Sequence, residues 1–496
     1  MARIFKFHFS LRKVLFVVLE TAILSLLLLP VSDFEMFGRL LEGETVYRTV
    51  FTGPHRPAAL SELSLLAFML ARVLVLVLIC QGCFFINDLY NWKITANRTK
   101  TYIRLLESVS YALIVTALAY FVIQGLDRTV ERCCGLRISC LKLDTGNILL
   151  SMVVVYLAAY LYRILFHWSH FTWRLADRLL LVGTDDMTER VVRELKERND
   201  PSYEIVGYVV KDPTVKAPGK RILGGYEDLF RLTQEYDINR VIVSLAGGND
   251  PLPADELLNC RIKGIRVEEA ALLYERITGK IAVEKLDPMY LIFSEGFDQY
   301  KFTYVFKRIL DVGLAVCGLI LSLPIILVTA VLIKLDSRGP VFFKQQRVGK
   351  EGKIFTLVKF RSMYVDAEEK TGPVWATKDD KRVTRVGRVI RRLRIDEIPQ
   401  MWNVLRNEMS FVGPRPERPY FVDELKKEIP FYTVRLVVKP GITGWAQTNY
   451  VYGSSKEDAL EKLQYDLYYI KNMSIILDVV TLLKTVKVVI RRQGAV

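Results

Sequence analysis

Histidine is scarce in this chain: four occur in 496 residues, His8, His55, His167 and His170, and none lies beyond residue 170. The C-terminal half must therefore carry out any acid, base or nucleophilic chemistry without imidazole, which excludes histidine triads and histidine-ligated zinc there. Cysteine is sparse too. Of seven, Cys80 and Cys83 have Cys-x-x-Cys spacing, but they fall inside an apolar run, where packing explains them better than metal. Cys133, Cys134 and Cys140 share one loop, and Cys140 could pair with either of the others if that loop faces an oxidising compartment. No small-residue cleavage site follows the basic start and first apolar run, so the N-terminus reads as an uncleaved anchor. A dinucleotide fingerprint is also incomplete. It would need glycines at 183, 185 and 188, and the chain supplies Gly183, Asp185 and Thr188; Asp185 would repel a pyrophosphate.

Apolar residues and positive charge are plentiful. The hydrophobic fraction of 51% is high for a purely soluble protein, and the net charge of +15 suits anionic headgroups or nucleotide phosphates; nucleic acid fits poorly so near a membrane anchor. Four apolar runs, 13–30, 63–86, 104–124 and 147–166, each approach the ~20 residues that cross ~30 Å of hydrocarbon. They predict a four-helix transmembrane domain over residues 1–170, with Arg72 turned toward other helices or an interface. The dense basic region after Arg163 puts the N-terminus and the exit of the fourth helix in the cytoplasm.

Residues 171–295 alternate apolar strands (Leu179 to Val182, Ile205 to Val210, Val241 to Leu245) with amphipathic stretches such as Met187 to Glu197. That pattern predicts a Rossmann-like α/β domain with a regulatory, ligand-sensing or oligomerising role. Residues 300–496 form the third region, an α+β domain opened by Lys307-Arg308 and an apolar run over 309–333. Pro324 predicts a kink in that run, and Ser322 is placed to bond a freed carbonyl. With basic residues at both ends, the run is read as a re-entrant helix that keeps the domain on the side where activated nucleotide donors are made, rather than as a fifth span.

Downstream, Lys359 and Arg361 lie two apart in an extended segment and point the same way, offering two cations to one anion. Arg385, Arg388 and Arg392 follow helical spacing and suit anionic headgroups or a prenyl phosphate. Asp396-Glu397 follow, with Pro399 tolerated in a first helical turn; adjacent helical residues point ~100° apart, so the two acids take different roles. At an ordinary pKa of ~3.9, Asp396 is ionised at neutral pH and needs no base to act as a nucleophile. A phosphate charge ~4 Å away would repel it by about 4 kcal/mol at an effective dielectric of ~20, nearly a thousandfold in rate. A divalent cation and arginines such as Arg415 would relieve that cost.

These residues, taken in order, carry a resemblance. Lys307-Arg308, the proline-broken helix, Lys359-Phe360-Arg361, Asp396-Glu397, Gly413-Pro414-Arg415-Pro416 and Lys439-Pro440-Gly441-Ile442-Thr443-Gly444-Trp445-Ala446-Gln447 resemble the bacterial sugar transferase family of monotopic phosphoglycosyl transferases. The N-terminal half resembles the family's large form, which starts exopolysaccharide, capsule or O-antigen units. The tail from Asn449-Tyr450 through Tyr465 to Ile470 is similar to the exosortase-associated exopolysaccharide branch. The resemblance implies transfer of a sugar 1-phosphate from a UDP-sugar to polyprenyl phosphate, with release of UMP, at the bacterial inner membrane. It makes Asp396 the nucleophile and Glu397 a partner in holding Mg²⁺. Lys359, Arg361 and Arg415, joined by Arg347, would bind phosphates; Lys307, Arg308, Ser322, Pro324, Arg388 and Arg392 would serve membrane and carrier. The family's helix break is often Ser-Pro, whereas here Leu323 precedes Pro324. A homodimer follows from the resemblance to the large form, not from any residue pattern. Two other readings are a non-enzymatic membrane scaffold that senses a nucleotide, and a membrane-bound nucleotide-sugar dehydratase. For the latter, Tyr452 to Lys456 fits Tyr-x-x-x-Lys, but no glycine-rich loop precedes it in the C-terminal half.

Overall fold

In a computed structural model of the protein, the described residues are 2–4, 7–9, 11–32, 62–90, 98–134, 145–172, 176–198, 202–214, 219–244, 252–285, 301–365, 367, 380, 382–450 and 455–491. They divide into two compact units. In the first, the four apolar runs become helices α1 (Leu11–Ser32), α2 (Glu62–Ile86), α3 (Arg98–Cys134) and α4 (Thr145–Thr172). Segments 101–121 and 147–166 are long and apolar enough to cross a membrane, while the apolar helical stretches at 15–31 and 70–86 are shorter. Leu28, Val77, Phe84, Leu105 and Val155 are buried between the helices, and Leu26, Leu78, Leu118 and Leu161 are exposed on the outside. A bundle that is apolar both inside and outside suits lipid as its solvent. Cys80 and Cys83 are buried and unpaired in that core. The proposed pairing of Cys140 lies outside the described residues. Arg72 is half-buried. Glu20 of α1 and Arg163 of α4 form a buried ion pair, and the Tyr90 hydroxyl donates to Glu20 at 2.8 Å.

The second unit begins with a five-stranded parallel sheet: β1 (Asp177–Val182), β2 (Tyr203–Val210), β3 (Ile222–Gly225), β4 (Arg240–Val243) and β5 (Arg266–Glu269), in the order β3-β2-β1-β4-β5. The central strand is apolar at every position from Leu179 to Val182 because both its faces are covered. Leu179 and Leu181 pack with Val191 and Leu195 of α5 (Asp186–Arg198), and Leu180 and Val182 pack with Leu229 and Leu232 on the other face. The strand order reverses between β1 and β4, where such sheets bind ligands. Asp185 fills that point. Its carboxylate accepts from Thr188 N and Oγ1, at 3.3 and 2.5 Å, and from the Ser244 hydroxyl.

The rest of this unit is organised by α6 (Lys301–Asp336), 36 residues long and helical without interruption through Pro324. Ser322 Oγ donates 2.6 Å to Gly318 O, not to Ile320 O, the carbonyl that loses its helical donor at Pro324. Ala315 packs with Leu357, Val404 and Met409, and Ile333 packs with Phe360 and Ile390. Eighteen residues separate these two contacts, about 27 Å along a helix, so one face of α6 lies on the domain over much of its length. Phe302, Ile309, Ile320, Leu327, Val331 and Leu335 remain exposed. The segment 302–336 is also long and apolar enough to cross a membrane.

Both basic residues at the head of α6, expected to serve membrane and carrier, are engaged by the domain itself. Lys307 is buried; its ammonium donates to Asp478 Oδ2 (2.7 Å), Val412 O (3.0 Å) and the Tyr469 hydroxyl (3.1 Å). Arg308 donates to Val404 O and Leu405 O at 2.7 and 3.0 Å, closing the helix Gln400–Leu405. At the other end, Asp336 Oδ2 accepts from Val386 N at 3.0 Å.

Replacing Lys307 by Met strands the buried Asp478 carboxylate and should cost about 3–5 kcal/mol. Adding Asp478→Leu should recover most of the loss in thermal denaturation, and a single variant that melts like the native protein would refute the assignment.

Candidate active site

Asp396 and Glu397 sit in a three-residue 3-10 turn, Ile395–Glu397, rather than in the first turn of an α-helix. Arg394 enters it at φ +58°, a left-handed conformation that costs a non-glycine residue about 1 kcal/mol or more and persists only where the surroundings enforce it. Asn403 supplies part of that enforcement. Fully buried, it accepts from Val358 N (3.1 Å) and donates to Thr356 O and Glu408 Oε2, both at 2.7 Å. The helix after the acids is thereby pinned to the strand Ile354–Phe360 that carries Lys359.

Asp396 is 8% exposed, and no described residue donates a hydrogen bond to its carboxylate. Burial, followed by the charge of Glu397, pushes its pKa up to about 6, against the pull of Lys359, Arg391 and Arg394. The ordinary value assumed from sequence is therefore too low, although a group at about 6 is still roughly 90% ionised at pH 7. Burial also pushes Glu397 up, but Arg415 and Arg394 outweigh it and hold this carboxyl below its usual range. Arg415 Nη1 and Nη2 both donate to Glu397 Oε1 at 3.2 Å. Burial depresses Lys359 to about 8; Asp396 opposes that shift, and Arg347 and Arg415 add to it. Its ammonium lies 5.5 Å from the Phe343 ring centre.

Arg415 stands in the loop after the strand Ser410–Val412, which pairs in parallel with Gly441–Thr443. The glycines of both motifs let these two backbones touch. A Cβ at Gly413 would lie 2.4 Å from Lys439 O, and one at Gly441 would lie 2.2 Å from Gly413 N. Pro414 O accepts from Gly441 N (2.9 Å), Arg415 O from Arg435 Nη2 (3.0 Å), Pro416 O from Arg347 Nη1 (2.9 Å) and Glu417 O from Val348 N (3.0 Å).

Two cations assigned to phosphate have other partners. Arg361 is buried with its guanidinium on Arg338 O and on Ser337 O and Oγ, at 2.5 to 3.0 Å, so it caps the end of α6. The strand ends at Phe360, and the alternation expected to align Arg361 with Lys359 ends with it. Arg347 is held by Pro416 O and by Gln345 Oε1 at 2.7 Å, which makes it a clamp on the Arg415 loop. Arg388 and Arg392 are exposed on the helix Arg385–Arg392 beside exposed Val389 and Leu393, while half-buried Arg391 acts on Asp396. Ser322 and Pro324 lie on α6 away from the acids' hydrogen bonds.

Sequence reasoning missed Arg394, Asn403, Arg435 and Asp466. A lone arginine in the apolar stretch 432–438 and a lone aspartate among the aromatics of 465–469 were available as signals. No cluster of three or more metal-ligating side chains occurs among the described residues. Mg²⁺, however, takes one or two carboxylates and completes its shell with phosphate and water. The Asp396 oxygens and Glu397 Oε2, which accept no hydrogen bond from the described residues, are hard donors of that kind and fit it.

Residues 302–492 match the bacterial sugar transferase family. The chain is 44% identical over 239 residues to the UDP-N-acetylgalactosamine-undecaprenyl-phosphate N-acetylgalactosaminephosphotransferase of Aeromonas hydrophila, covering 48% of this chain and 56% of that one. It is 33% identical over 332 residues to the undecaprenyl-phosphate glucose phosphotransferase of Komagataeibacter xylinus, covering 65% and 60%. The exopolysaccharide production protein PSS of Rhizobium leguminosarum bv. phaseoli is 40% identical over 190 residues, 37% of this chain and 94% of its own length. The chain thus spans under two thirds of the first two relatives.

Removing the guanidinium with Arg415→Met should raise the Glu397 pKa by about 1–3 units, measured by carboxyl NMR titration of isotope-labelled protein. A Glu397 titration unchanged by the substitution would contradict the pairing.

Proposed function

Because the chain belongs to the bacterial sugar transferase family, we propose that it transfers a sugar 1-phosphate from a UDP-sugar to polyprenyl phosphate through a covalent bond to Asp396. The observation that carries this reading is a buried carboxylate that accepts no hydrogen bond from the described residues, kept largely ionised among Lys359, Arg391 and Arg394. Such a group has lost the water that would blunt it and retains the charge that makes it a nucleophile.

An Asp396 oxygen attacks the phosphorus that bears the sugar. The bond to the bridging oxygen breaks, UMP leaves with those electrons, and the sugar phosphate remains as an acyl phosphate. A phosphate oxygen of the polyprenyl carrier then attacks the same phosphorus and returns Asp396 as a carboxylate. Lys359 and Arg415 face the charge that builds on the phosphoryl oxygens, and Arg415 also orients Glu397. Mg²⁺, held by Asp396 and Glu397, would neutralise the diphosphate as it approaches the acids.

The lipid carrier suits α6. Both its ends are held by one domain, Lys307 and Arg308 at the start and Asp336 at the end, and its inner face packs on that domain between them. A crossing would place those two ends on opposite sides of the bilayer. The helix therefore dips into one leaflet with its exposed apolar face in lipid, and Arg388 and Arg392 meet the headgroups on the cytoplasmic side. Glucose and N-acetylgalactosamine, named for the relatives, are the first donors to try. A scaffold would need no ionised nucleophile, and Asp185 seated at the sheet's switch point disfavours the pyrophosphate of a dehydratase cofactor.

Purified protein in lipid with Mg²⁺ and undecaprenyl phosphate should release UMP from one of a panel of UDP-sugars, and Asp396→Asn should abolish the release. Folded native protein that is silent with every donor would remove the enzymatic reading. The pH profile should be bell-shaped. Activity falls below about 6 as Asp396 gains a proton and above about 8 as Lys359 loses one. Lys359→Arg should move only the alkaline limb upward, because a guanidinium stays charged.

A further inference from the structure

The loop Gly413–Pro416 has little freedom of its own. Pro414 and Pro416 fix two φ angles and carry no amide donors, so beyond the Gly413 amide, which donates to Thr443 O at 2.9 Å, the loop is held largely through its carbonyls. Three of the four carbonyl partners at 414–417 come from elements beside the loop: backbone amides of Gly441 and Val348, and Arg347 of the adjoining hairpin. The fourth differs. The carbonyl of Arg415 itself is taken by Arg435, a buried guanidinium whose other contacts are the Tyr432 hydroxyl at 2.6 Å and Asp466 at 2.9 Å. Asp466 is 1% exposed and lies on the helix Lys456–Lys471.

A buried ion pair is a poor way to gain stability, because desolvating both charges consumes most of their attraction and apolar residues of like size do as well. Besides its neighbour Tyr432, this pair reaches the peptide carbonyl of the residue whose guanidinium grips Glu397. Resting on the proposed sugar-phosphate transfer, we propose that Arg435 and Asp466 are positioning residues. Together they set the orientation of the Arg415 peptide, so that its side chain reaches both Glu397 and the donor's phosphates. Arg435 touches neither substrate nor acid; its effect passes through Arg415. A displacement of about 1 Å at such a group is worth roughly a hundredfold in rate.

The test replaces the pair together, Arg435→Met with Asp466→Leu, which removes both charges and leaves neither stranded. The melting temperature should stay close to the native value. UMP release should fall about a hundredfold, and calorimetric binding of UDP with Mg²⁺ should weaken about tenfold. In an Arg415→Ala background the same pair should cost no more than about twofold, since the group it positions is gone. Native turnover and UDP binding in a folded double variant would overturn the proposal, as would a full further loss in the Arg415→Ala background. A native protein that binds UDP but turns over no sugar would refute the transferase reading, and the binding comparison would still decide the role of Arg435. Native protein that does neither overturns both.

Discussion

As the proposed nucleophile, Asp396 has to be both buried and charged, and those demands oppose each other, because burial favours the neutral acid. The chain meets both with fixed cations placed around the turn. Lys359, Arg391 and Arg394 bear on Asp396, while Arg415 and Arg394 hold Glu397 ionised. The balance needs distances that do not drift. Asn403 ties the acid-bearing segment to the Lys359 strand, and the carbonyls of the Arg415 loop are held from four directions.

The long apolar helix belongs to the same construction. It supplies core contacts under both the acid turn and the basic helix Arg385–Arg392, through Ala315 and Ile333, while its outer face stays apolar and exposed.

Within the second unit, the helix Ala270–Thr278 that follows the last sheet strand ties the parallel sheet to the C-terminal helices. Glu275 pairs with Lys471 at 2.7 Å and with Asn472 at 3.0 Å, and the Gly279 carbonyl accepts from the Trp445 indole at 2.8 Å. Lys471 ends the helix that carries Asp466. One rigid element thus contacts the sheet domain at one end and the Arg435 clamp further along.

Much of this was legible in the residue order, because periodicity and local chemistry act over short distances. Long apolar runs mark the helices of the first unit, short apolar runs separated by amphipathic stretches mark the sheet, and an incomplete glycine pattern at 183–188 leaves Asp185 where a phosphate would sit. The adjacency of Asp396 and Glu397 and the basic character of their surroundings are likewise properties of the chain. What a charge does, however, depends on which partners reach it across the fold. Lys307, Arg308, Arg347 and Arg361 look alike in sequence to Lys359 and Arg415. Tertiary contacts commit the first four to buried carbonyls and an ion pair, and leave Lys359 and Arg415 facing the acids. The raised pKa of Asp396 has the same origin: desolvation is set by everything packed around a group, and no local pattern encodes it.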